Sequence, residues 1–61
     1  MANITRAAQK VGTLRANGKI YDLLQIIRAI WIIDPITDRS FGRKFLSREE
    51  LLRQYPIARF K

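Results

Sequence analysis

The residues best suited to chemistry lie in one short basic segment, residues 39–45. This segment interleaves Arg39, Arg43 and Lys44 with Phe41 and Phe45. Basic side chains neutralise phosphates and aromatic rings stack on bases, so the composition is typical of a nucleic-acid-binding surface. The alternative is that both phenylalanines anchor a small core and the basic residues form a solvated rim. We expect Arg39, Arg43 and Lys44 to be the principal phosphate contacts, with Phe41 beside them.

A second basic pair lies near the start of the chain. Arg6 and Lys10 are four residues apart, which is about one turn of an α-helix. In a helix both would lie on the polar face, where they could reach a phosphate backbone together. We expect Arg6 and Lys10 to be secondary nucleic-acid contacts.

The charge of the whole chain favours a polyanionic partner. The 61 residues include twelve Lys and Arg against five Asp and Glu, giving a formal net charge of +7. Such an excess imposes self-repulsion on a small domain, and a bound polyanion relieves it. The sequence therefore predicts a DNA- or RNA-binding protein, and we expect DNA in preference to RNA.

Catalytic and metal-binding residues are scarce. The chain has no Cys and no His, which excludes thiolate nucleophiles, imidazole acid–base chemistry, disulfides and zinc sites. Asp34 and Asp38 would make at most a pair, and hard cations need more oxygen ligands than that. Glu49 and Glu50 belong to a helix start described below. We expect no enzymatic activity, no cofactor, no metal site and no small-molecule substrate.

No segment resembles a targeting signal. The longest nearly apolar run, residues 26–33, contains Arg28 and is much shorter than the roughly 20 residues of a membrane span. We expect a cytoplasmic protein with no membrane-spanning segment.

Two structures compete for the first twenty residues. Apolar residues recur at helical spacing over residues 4–14, with Asn3 as the N-cap, and this predicts an amphipathic helix. The alternative is a hairpin in which residues 13–16 turn through Asn17-Gly18 into residues 19–21, because Asn-Gly is the strongest two-residue hairpin signal. Gly12 favours the hairpin, and the length of the apolar stripe favours the helix.

A broad apolar stripe predicts a central helix. It begins near residue 19 or 20 and ends near residues 28–30, and Ile27 lies within it as a core position. The stripe consists of Ile20, Leu23, Leu24, Ile27, Ile30 and Trp31.

The rest of the chain predicts a hairpin and a capped helix. Residues 31–33 and 43–46 have strand composition, and the polar loop between them begins at Asp34-Pro35. Ser47 and Glu50 match the capping box of a helix over residues 48–55, which Pro56 ends.

These elements predict one small α+β domain over residues 1–61. It would have an amphipathic helix, a central apolar helix, a β-hairpin and a short capped C-terminal helix. The order and size of the elements resemble the winged-helix architecture of small excisionases and related DNA-binding proteins, with residues 39–44 as the wing. No motif of that family matches residue by residue, so the likeness is one of architecture alone.

A protein-docking module is the alternative function. The chain has more large apolar side chains than the interior of a 61-residue domain readily hides. In this interpretation an apolar face with a basic rim binds a second copy of the chain, giving a dimer, or a larger protein or assembly.

Overall fold

The computed structural model describes residues 8–61, which form an antiparallel sheet and one short helix. The strands are β1 (Ala8–Ala16), β2 (Lys19–Ile26), β3 (Ala29–Ile33) and β4 (Arg59–Phe60), and helix α1 spans Arg48–Gln54. The strand order across the sheet is β3-β2-β1-β4. The predicted α+β fold with an amphipathic and a central helix is therefore wrong, and so is the winged-helix architecture.

The first hairpin turns at Asn17-Gly18. Both residues have positive φ, 52° at Asn17 and 73° at Gly18, as a type I′ turn requires. The pairing of β1 with β2 begins beside the turn, where Ala16 is opposite Lys19, and ends where Ala8 is opposite Ile26. The hairpin alternative is thus confirmed, and the predicted helix is wrong over residues 8–14. Its first part, including Asn3 and Arg6, lies outside the described residues.

A β-bulge explains why β1 has helical spacing in its sequence. Lys10 is opposite Leu24 and Gly12 is opposite Leu23, so Val11 is an extra residue in β1. The extra residue lets Val11 and Leu14 both enter the core although they are three positions apart. A bulged strand therefore imitates the i, i+3 pattern of an amphipathic helix.

The predicted central helix is a second hairpin. β2 and β3 pair from Ile26 and Ala29 to Asp22 and Ile33, and they turn at Ile27 and Arg28. Ile27 is the first residue of this turn, with φ 59° and 85 % exposure, so its assignment to the core is wrong. The helical stripe arose because both faces of β2 carry leucine: Leu23 is fully buried, and its neighbour Leu24 lies half-buried on the opposite face.

The core lies on one face of the sheet, under the C-terminal part of the chain. Residues paired across strands share a face, so Leu14, Leu23 and Ile32 all point to this side. Leu51 of α1 is fully buried in the same cluster. Helix α1 therefore packs on the core face of the sheet, and the opposite face is not covered by the helix.

The capped helix is confirmed. The Ser47 hydroxyl accepts a hydrogen bond from the Glu50 backbone N–H at 3.2 Å. The Glu50 carboxylate accepts from the backbone N–H of Leu46 at 3.0 Å, one residue before the cap. Tyr55, directly before Pro56, is the C-cap.

The predicted second hairpin is present in part. β3 forms, and Phe45 exchanges two backbone hydrogen bonds with Ile30. Ser40 makes a second bridge, to Ile33, but residues 43–46 form no continuous strand. The segment thus lies along the free edge of β3 and extends the sheet on that side.

Candidate nucleic-acid interface

The face of the sheet opposite the core carries a mixture of basic and apolar side chains. We call it the open face. Because residues paired across strands share a face, the register assigns its members from β4 to β3. Ile33 is buried, and the other large members are half-buried or exposed. The open face includes Lys10, Thr13, Arg15, Ile20, Asp22, Leu24, Ile26, Trp31, Ile33 and Arg59.

One row of this face places an aromatic ring between two cations. Lys10 is opposite Leu24, and Leu24 is opposite Trp31. Lys44 completes the row, because its neighbour Phe45 takes a core position and turns Lys44 to the open side. The Lys44 ammonium lies 5.7 Å from the centroid of the Trp31 ring, a cation–π contact.

The indole N–H of Trp31 has no hydrogen-bond acceptor within the described chain. Its Nε1 atom is buried, while the residue as a whole is half-buried. Trp31 therefore contributes ring surface to the open face, and its polar atom is turned away from solvent.

The charge of Lys10 is partly neutralised by an ion pair within the protein. Its Nζ atom lies 3.3 Å from Oδ1 of Asp22, and both side chains are partly exposed. The bulge at Val11 makes this pairing possible, because it puts Lys10 and Thr13 on the same face, and Asp22 pairs with Thr13. Lys10 is thus a weaker candidate for a phosphate than Lys44, whose nearest partner is an aromatic ring.

The other predicted contacts differ in their surroundings. Arg39 and Arg43 are exposed, and the Arg43 guanidinium lies 5.2 Å from the centre of the Phe45 ring. Phe41 stacks on Tyr21 with ring centroids 4.8 Å apart, so one face of its ring packs within the protein. Phe45 is buried in the core, as the core-anchor alternative expects. Arg6 lies outside the described residues.

Asp34 is a loop-forming residue in this structure. Its Oδ1 atom accepts the backbone N–H of Ile36 at 2.8 Å, and its Oδ2 atom lies 3.5 Å from Nζ of Lys19. The hydrogen bond from Ile36 is the largest cause that holds the pKa of this carboxyl below its ordinary value, with smaller contributions from Thr37 and Lys19. Within residues 8–61 no three His, Cys, Asp or Glu side chains come together as a metal site would require.

Sequence reasoning missed a cavity at the other end of the open face. Its volume is about 330 Å³, and its walls are Thr13, Arg15, Ile20, Ile57 and Arg59. Arg15 and Arg59 are far apart in the sequence, and they lie near each other because β4 pairs with β1. No local motif could have indicated this, since β4 is only two residues long.

Comparison with protein-family models, with characterised proteins and with solved structures finds no match to this chain. The described part of the chain has no helix long and apolar enough to cross a membrane.

Proposed function

We propose that the protein is a non-enzymatic nucleic-acid-binding protein and that the open face, with the adjoining residues 39–44, is its binding surface. The row Lys10, Leu24, Trp31 and Lys44 carries this proposal. It offers an aromatic ring for contact with bases or sugars and a cation at either end for phosphates.

The spacing of the row favours duplex DNA as the ligand. Lys10 lies on β1 and Lys44 lies beyond the edge of β3, so about three inter-strand distances of about 4.8 Å separate them. The resulting span of about 14 Å is close to the width of the major groove, about 12 Å. Two lysines at that distance can contact phosphates on both sides of one groove, and strands are known to serve as groove readers.

Electrostatics supports the same surface. Asp22 is the one acid that the register places on the open face within residues 8–61, and Lys10 already pairs with it. Arg15, Lys44 and Arg59 form no ion pair with an acid of the described chain. An incoming phosphate therefore meets cations whose charge is not neutralised inside the protein.

Titration with three polymers tests the proposal. Trp31 is the only tryptophan of the chain, so its fluorescence reports directly on the open face. Duplex DNA, single-stranded DNA and structured RNA are titrated at about 50 mM and about 200 mM salt, where phosphate contacts give a strong loss of affinity. We expect duplex DNA to bind most tightly and to change the Trp31 emission.

Matched lysine and arginine variants make the test specific. Lys44→Gln should lower the slope of log affinity against log salt by about 0.9, the contribution of one phosphate contact. Arg53→Gln removes the same charge from the exposed side of α1, over the core face, and should leave the slope unchanged. Equal slopes for the two variants, or no polymer binding better than micromolar at low salt, would exclude the open face as a nucleic-acid surface.

A protein-docking module is the second candidate, and exposed aliphatic residues favour it. Ile20 is 55 % exposed, Ile57 is 60 % exposed and Leu46 is 67 % exposed. Large aliphatic groups in water beside arginines are typical of the apolar centre and basic rim of an interface. If two copies of the chain pair through the open face, sedimentation at micromolar concentration will show a dimer. Ile20→Ser will then shift the protein to monomer. A monomer that stays well folded argues against an obligate interface.

A further inference from the structure

We infer that the cavity between β1, β4 and residue Ile57 is a binding site for a phosphate monoester that carries an apolar or planar group, as a nucleoside monophosphate does. Nothing in the sequence marks these residues as a site, and the inference does not require the open face to bind a polymer. It departs from the expectation that the protein takes no small molecule.

The pairing of β4 with β1 brings two arginines to the wall of one cavity. Thr13 is directly opposite Arg59, and Arg15 is two residues further along β1, on the same face. Arg15 and Arg59 are therefore diagonal neighbours across the strands, with Cβ atoms expected about 7–8 Å apart. Two arginines at that separation can hold one phosphate between them, because each guanidinium offers parallel donors that match phosphate oxygens.

Neither arginine is neutralised by the described chain. Its ion pairs join Lys10 to Asp22 and Lys19 to Asp34, and neither involves Arg15 or Arg59. Asp22 is the nearest acid by register: it lies opposite Thr13, in the same row as Arg59 and diagonal to Arg15. Its carboxylate pairs with Lys10 and with neither arginine. Two like charges side by side without a counter-ion repel each other, and a bound anion converts that repulsion into attraction.

The remaining walls select the rest of the ligand. Ile20 and Ile57 stand 55 % and 60 % exposed on the rim, and Thr13 supplies a hydroxyl. The volume of about 330 Å³ lies at the lower end of the range for small-molecule sites, about 300–1,000 Å³. Inorganic phosphate would leave the isoleucines in water, whereas a sugar or base attached to the phosphate would cover them.

Backbone and arginine side-chain NMR shifts provide the direct test. We titrate the full chain with inorganic phosphate, with a nucleoside 5′-monophosphate and with the unphosphorylated nucleoside. We expect saturable shifts at Thr13, Arg15 and Arg59, with the monophosphate about five- to tenfold tighter than inorganic phosphate because of the apolar walls. The nucleoside alone should bind more weakly than either, since it lacks the group that the arginines hold.

Variants distinguish binding at the cavity from non-specific attraction of phosphate to a basic protein. Arg15→Gln or Arg59→Gln should weaken monophosphate binding at least about tenfold, the usual loss for a charged hydrogen bond. Arg53→Gln removes an equal charge from α1 and should change nothing. Ile20→Ser should reduce the preference for the monophosphate and leave inorganic phosphate unaffected. Linear shifts spread over the surface, or equal losses in the Arg15 and Arg53 variants, would overturn the assignment.

The source of the phosphate is found with a matched pair of oligonucleotides. If a 5′-phosphorylated strand shifts Arg15 and Arg59 more strongly than the same strand without the phosphate, the site takes the end of a nucleic acid. If only the free monophosphate shifts Arg15 and Arg59, the site binds small nucleotides. Either result supports a site that recognises phosphate. Lys44→Gln should weaken polymer binding and lower its salt dependence but spare these shifts, so failure of the interface and failure of the cavity are distinguishable.

Discussion

The turn between β2 and β3 gives the sharpest test of the fold. Ile27 has φ 59°, a left-handed conformation that a β-branched residue adopts only under strain. A positive φ at the first turn residue alone is the geometry of a type II′ turn, in which glycine is preferred there. We therefore predict that Ile27→Gly stabilises the protein.

The size of the gain follows from three contributions. Release of the strained backbone contributes about 1–3 kcal/mol. Greater freedom of glycine in the unfolded chain opposes this by about 0.5–1 kcal/mol. Because Ile27 is already 85 % exposed, the lost apolar burial is small, on the order of 0.4 kcal/mol. The net gain is about 1 kcal/mol, which corresponds to a rise in Tm of about 4–8 °C for a domain of this size.

Thermal unfolding followed by far-UV circular dichroism measures this shift. Ile20→Gly is the matched control, because Ile20 lies in extended β2 and glycine weakens a strand. The two identical exchanges should move Tm in opposite directions. A fall in Tm for Ile27→Gly of the size seen for Ile20→Gly would refute the strained turn.

Three further perturbations test other parts of the structure. Gly12→Ala would put a Cβ 2.9 Å from the Phe60 Cα and closer still to the Arg59 carbonyl. We expect a loss of about 1–3 kcal/mol and faster hydrogen exchange at the Lys61 amide, which donates to the Val11 carbonyl at 3.0 Å. Ser47→Ala should lower the unfolding free energy by about 1 kcal/mol in urea titration, and Ser47→Thr should retain most of the cap. Because Asp34 has a lowered pKa in the folded state, its ionised form stabilises the fold above the ordinary value of 3.8, and that contribution is lost as the pH falls through the folded pKa. Asp34→Asn should therefore flatten the fall of the urea midpoint between about pH 5 and about pH 2, and an unchanged pH profile would contradict the Ile36 hydrogen bond.

Local signals in this sequence indicate the correct backbone where one short motif fixes it, although at Asn17-Gly18 the hairpin was the alternative and the predicted helix is wrong. Asn17-Gly18 supplies the two positive φ values of its turn, and Ser47 with Glu50 supplies the hydrogen bonds of a helix start. Both depend on neighbouring residues alone, so tertiary contacts do not alter them.

Periodicity failed where the sheet departs from simple alternation. Val11 adds a residue to β1, and Leu23 and Leu24 are apolar on opposite faces of β2, so neither strand shows a period of two. The turn at Ile27 and Arg28 contains no Gly, Pro or Asn, which hides the end of β2. Each of these departures made the apolar residues recur at helical spacing over a longer stretch, although the structure has strands there.

Only basic residues of the candidate site could be predicted from the sequence: those of the segment 39–44, and Lys10 near the start of the chain. Lys44 was found from composition, but its contact with Trp31 depends on the bridge between Ile30 and Phe45. Arg15 and Arg59 carry no shared signal in sequence, because their proximity is created by pairing between distant strands.

The pairing of β4 with β1 also predicts an order of folding. The β1–β2 hairpin closes through a two-residue turn, whereas β4 joins β1 only after the whole of residues 14–58 has been folded back. Closing so long a loop costs about 2–3 kcal/mol more entropy than closing the hairpin turn. β4 should therefore dock after the rate-limiting step, so that weakening it by Gly12→Ala accelerates unfolding and leaves the refolding rate unchanged. Because Arg59 lies in β4, we expect the two arginines of the cavity to come together only in the last stage of folding.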